Sequence, residues 1–64
     1  MSFLLFEVWA EDDDGHEELI ETTASKAAAS EIAEQAVLDG AFAATVYQEV
    51  DGSDAVEVER FERE

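Results

Sequence analysis

The side chains best equipped for chemistry lie within "AEDDDGHEELIE", positions 10–21. Here Asp12, Asp13, Asp14, the single histidine His16 and Glu21 gather around Gly15. Carboxylates so closely spaced are ligands for hard cations. A calcium-binding loop reads D-x-[DN]-x-[DN]-G-x5-E, and Asp12, Asp14, Gly15 and Glu21 match its third, fifth, sixth and twelfth positions. Its first position, however, falls on Ala10, whose methyl group cannot ligate. Its eighth, normally apolar, falls on Glu17, and "FLLFEVWA" upstream alternates like a strand where the motif needs a helix. His16 beside aspartates is also too thin a shell for a transition metal, which takes several nitrogen or sulfur donors. The stretch therefore reads as a solvated hairpin turn, with no metal or cofactor expected.

Nucleophilic and acid–base chemistry find no better footing. Ser2, Ser25, Ser30 and Ser53 have only His16 as a prospective base, and Ser25 and Ser53 fall where a helix cap and a turn are expected. Carboxylate pairs such as Glu57 and Glu59 arise in any chain with eighteen acidic residues. There is no glycine-rich phosphate loop, and 64 residues leave little room for a substrate cleft. The expectation is a protein that is not an enzyme and acts by binding.

The elements that would position such a surface follow from periodicity. Residues 3–10 alternate, with Leu4, Phe6, Val8 and Ala10 on one face and Phe3, Leu5, Glu7 and Trp9 on the other. Residues 17–23 form a second strand. Ser25 is placed to cap a helix running to Leu38, in which Ala29, Ile32, Ala33, Ala36 and Val37 keep the 3.6-residue period. Gly40 stands where a left-handed helix terminator belongs. Residues 41–50 and 54–61 supply two further strands around "DGS".

Face parity selects the loops. A three-residue loop of Asp13, Asp14 and Gly15 pairs Asp12 with His16, Val8 with Ile20 and Trp9 with Leu19. A loop of Val50, Asp51 and Gly52 pairs Val46 with Val56 and Ala44 with Val58. The whole chain, residues 1–64, then forms a single α+β domain of ββαββ order: a four-stranded antiparallel sheet with one helix packed on one face.

One helix covers one face, expected to hold Leu4, Phe6, Val8, Phe42, Val46, Val56 and Val58. The other face is expected to carry Phe3, Leu5, Trp9, Leu19, Tyr47 and Phe61 among Glu7, Glu57 and Glu59. Large apolar groups left in water, with tryptophan and tyrosine among them, mark an interface with a homodimer mate or another partner.

Charge narrows the partner. Eighteen acidic residues face only Lys26, Arg60 and Arg63, a net charge of −15. That excludes nucleic acid and anionic membrane as direct partners and fits a basic protein. Without cysteine there is no disulfide or thiolate zinc site, which with the strand-like "MSFLLFEVWAED" suggests a cytoplasmic protein. Acidity also suits molar salt, where the Debye length falls to about 3 Å and carboxylates cease to repel. Alternatively, Glu57–Glu59, Glu7–Glu11, Asp12–Asp14 and Glu31–Glu34 present phosphate-like rows, residues two apart on a strand standing about 6.6–6.8 Å apart. In size, charge, lack of cysteine and its "EDDDGHEE" and "VEVERFERE" runs, the chain resembles the small acidic DNA-mimic inhibitors that phages encode, the anti-restriction and anti-CRISPR proteins. That resemblance implies occupation of the basic surface of a nucleic-acid-binding enzyme, through an acidic surface of Glu11, Asp12, Asp13, Asp14, Glu31, Glu34, Glu57 and Glu59. The alternative is a salt-adapted, homodimeric structural or assembly protein.

Overall fold

The computed structural model describes residues 4–50 and 54–63. Its elements are β1 (Leu4–Glu11), β2 (Glu17–Thr23), α1 (Lys26–Leu38), β3 (Ala43–Val50) and β4 (Val56–Glu62). The strands form one antiparallel sheet in the order β2-β1-β3-β4, with α1 packed on one face. The α+β, ββαββ arrangement is as the periodicity predicts. What periodicity does not specify is the order: β1 and β3 are central, and β2 and β4 are the edges.

Local chemistry explains both ends of the helix. The Ser25 hydroxyl accepts from the Ala28 N–H at 3.2 Å, which satisfies one of the donors that a helix start leaves free. At the other end Gly40 takes φ +119°. Its N–H donates to the Val37 carbonyl at 3.1 Å, and the Ala41 N–H reaches the Ala36 carbonyl at 3.1 Å. These paired bonds are the Schellman pattern, which closes the last turn and directs the chain into β3.

The first hairpin turns as predicted. Asp12 N–H donates to the His16 carbonyl at 2.9 Å and Gly15 N–H to the Asp12 carbonyl at 3.1 Å. Gly15 has φ +88°, the left-handed conformation that this loop requires and glycine adopts without strain. Trp9 pairs with Leu19, as expected.

Beyond that pair, two bulges correct the expected register. Val8 pairs with Glu21 instead of Ile20, which is the extra residue in β2. In β4, Val46 pairs with Glu59 and Ala44 with Phe61, instead of with Val56 and Val58. Val58 is the inserted residue, and parity reverses across it. Of the loop expected there, Asp51 and Gly52 lie outside the described residues.

The core consists of Phe6, Val8, Ala44 and Val46 from the central strands and Ala29 and Ala33 from α1. Ile32, Ala36, Val37, Val58 and Phe61 pack around it, half-buried. Three residues expected in this core are exposed: Leu4 at 42%, Phe42 at 38% and Val56 at 62%. Position in the sheet is the reason: Leu4 opens β1, Phe42 stands just before β3, and Val56, in the same row as the buried Phe6, lies on the edge strand β4.

Candidate binding surface

The face opposite α1 is built by residues whose partners are fixed by register. Glu7 pairs with Tyr47, Trp9 with Thr45 and Glu11 with Ala43 across β1 and β3. β2 adds Leu19 beside Trp9 and Glu17 beside Glu11. β4 adds Glu57 beside Tyr47, Arg60 beside Thr45 and Glu62 beside Ala43. Trp9, Tyr47, Leu5 and Leu19 thus share this face as predicted. The first three are half-buried and Leu19 is exposed.

Two expected members of the face stand elsewhere. Phe61 packs against the core under α1, because the Val58 bulge turns it over. Glu59 turns over with it and accepts a hydrogen bond from the hydroxyl of the helix residue Ser30. The Glu57–Glu59 row is thereby split between the two faces. Phe3 lies outside the described residues.

The open face has two unlike halves. One is closed by Arg60, whose Nη1 donates to Thr45 Oγ1 at 3.0 Å and whose Nη2 donates to Glu11 Oε1 at 3.2 Å. Glu62 lies 3.6 Å from its Nε. The bond to Glu11 strengthens the arginine's hold on its proton. It also relieves the like-charge opposition of Glu11 and Glu17, which pair directly across β1 and β2. Thr45, 1% exposed, has its hydroxyl satisfied by this arginine. Sequence reasoning did not assign Arg60 this role. The signal available was its rarity, as one of the chain's three basic residues, and its place between Glu59 and Glu62.

The other half holds an open cavity of about 300 Å³ lined by Glu7, Trp9, Glu17, Tyr47 and Ala55. The Trp9 indole N–H donates to Glu7 Oε1 at 3.3 Å. Burial, followed by the charges of Glu17 and Glu57, pushes the Tyr47 phenol above its usual value, so the ring stays neutral.

The acidic surface divides by occupation. Asp12 Oδ1 accepts from the N–H groups of Asp14 at 2.9 Å and His16 at 3.0 Å. The His16 bond is the main cause of a carboxyl held below its ordinary value. Asp13 receives Arg63 Nη2 at 2.8 Å, and the same guanidinium lies 5.7 Å from the centre of the Phe42 ring. Glu31 and Glu34 are exposed on α1. Asp12, Asp14 and His16 bring one ligand atom each within 4.8 Å of one another, all exposed. Hydrogen bonding within the turn accounts for that clustering.

No protein-family model, curated protein or solved structure matches the chain. Among the described residues, no helix is long and apolar enough to cross a membrane.

Proposed function

We propose that this chain is a small acidic binding module that docks onto a basic protein surface and performs no chemistry of its own. One observation carries the proposal: the acid is left in surplus. Arg60 and Arg63 are engaged with Glu11, Glu62 and Asp13, so the exposed Glu17, Glu18, Glu21, Glu31, Glu34 and Glu57 confront solvent against a net charge of −15. Such a field attracts and orients a cationic partner. The basic groove of a nucleic-acid-binding enzyme, as the resemblance to phage-encoded mimics implies, is one surface of that kind. Calorimetric titration against a basic nuclease at increasing potassium chloride tests it. Saturable binding that weakens steeply with salt supports the proposal, and no binding even in dilute buffer refutes it.

A second reading has its own support. The acid is dispersed over both faces, the β2 edge and the turn, and the Val58 bulge breaks one of the rows that mimicry would use, Glu57–Glu59. Dispersed carboxylates suit a protein that lives in concentrated salt, with the open face joining two copies. Two such faces would bring Glu7, Glu11, Glu17 and Glu57 against their own copies, which only strong screening permits. Sedimentation at low and molar salt separates the two: a dimer that appears only in molar salt favours the second reading.

A further inference from the structure

The half of the open face not closed by Arg60 combines an aromatic pair with carboxylates around one cavity. Trp9, the only tryptophan, and Tyr47 sit diagonally on adjacent central strands, two register positions apart on one face, and line the same cavity. Glu7 and Glu17 complete its wall, and Glu57 stands directly across from Tyr47. Aromatic faces carry negative potential over their centres, and carboxylates add formal charge beside them. Together they describe a receptor for a cation that also has a flat surface to stack.

We propose that the Trp9–Tyr47 cavity binds an arginine side chain presented by a basic partner, its guanidinium stacked on the aromatic rings and its N–H groups directed to Glu7 and Glu17. This rests on the binding-module reading and names the anchor point within it. Arginine fits better than lysine because a planar guanidinium stacks and forks toward carboxylates at once, while an ammonium is a compact, strongly hydrated point charge. The cavity, about 300 Å³ and shallow toward solvent, has room for the end of an arginine side chain. The chain's own Arg60 stays outside, held by Glu11 and Thr45. Its positive charge marks the boundary at which the incoming cation must stop.

Trp9 is a built-in reporter. An arginine-bearing peptide labelled with a fluorophore is titrated into the protein, alongside the same peptide with lysine and with citrulline, which keeps the shape of arginine and loses its charge. Peptide anisotropy and tryptophan emission are followed together. The expected result is a saturable change in Trp9 emission with the arginine peptide. Binding should be about tenfold weaker with lysine and lost with citrulline. Glu17→Gln and Tyr47→Ala should each weaken it by about tenfold, while Tyr47→Phe, which keeps the ring, should bind as wild type does. Glu17 is an exposed edge residue, so its amide variant leaves the fold intact. Equal binding of arginine and lysine peptides, with no change in Trp9 emission and no response to either variant, would overturn the cavity and leave the general acidic surface standing. Absence of any anisotropy change in dilute buffer would overturn both.

Discussion

On the helix side of the sheet, Phe6, Val8, Ala44 and Val46 are at most 4% exposed, and α1 supplies small alanines that let it approach closely. On the other side, the same two central strands present Leu5, Trp9 and Tyr47 half-buried, with carboxylates between them. The centre of the first face is dry, with Glu18 and Glu21 on its β2 edge and Glu59 on β4, so its apolar middle supplies folding energy. The second leaves its largest side chains partly wetted, so its contribution to folding is smaller, and on the proposed function it is the face left to bind.

Truncation on each face sharpens that contrast. Phe6→Ala should cost about 3–5 kcal/mol. A domain of 64 residues has roughly 3–10 kcal/mol in total, so this variant should be largely unfolded by circular dichroism. Trp9→Ala removes a larger side chain, yet from a half-buried position, and should cost about 1–2 kcal/mol in urea denaturation. Equal losses at the two positions would show that both faces hold the fold alike.

The helix must also be held over its face. Gly40→Ala forces a side chain into φ +119°, and a loss of about 1–3 kcal/mol is expected in thermal unfolding. Nothing lies within 4 Å of an added Cβ at Gly40, so the loss would report backbone strain and not a clash.

The smallest effect is expected at the turn. Asp12 is held below its usual 3.8 by the His16 and Asp14 N–H groups. A carboxyl with a depressed folded-state value stabilises above its unfolded value, and that stabilisation fades as pH falls through the folded one. Asp12→Asn keeps the accepting oxygen and removes the proton equilibrium. Its urea midpoint, followed from neutral pH down into acid, should therefore fall slightly less than that of wild type below about pH 3.8. Parallel profiles would show that the turn makes no pH-dependent contribution.

These faces were only partly legible in the sequence. Alternation over residues 4–11 and the period of Ala29, Ala33 and Ile32 identify the elements. Asp13-Asp14-Gly15, Ser25 and Gly40 mark their limits, because cap and turn chemistry is local. Pairing across strands is not local. The bulges at Ile20 and Val58 each add a residue, and one extra residue reverses every face assignment after it. A trace of the second bulge was present: the apolar residues of β4 fall at 56, 58 and 61, so the spacing changes from two to three. That change sends Phe61 under the helix and Glu59 to Ser30. The cavity between Trp9 and Tyr47 was half legible, since their shared face followed from parity. The neighbouring Glu17 required the strand order and first-hairpin register to be placed beside it.

On the proposed function, a dry core on one side holds the fold by itself while the acid on the surface stays free to bind. Far-ultraviolet circular dichroism of the unmodified protein, taken from dilute buffer to molar potassium chloride, tests it most directly. A folded αβ spectrum is expected already in dilute buffer, with salt raising the melting temperature only modestly as repulsion is screened. A chain that is unfolded in dilute buffer and folds only in molar salt would contradict it.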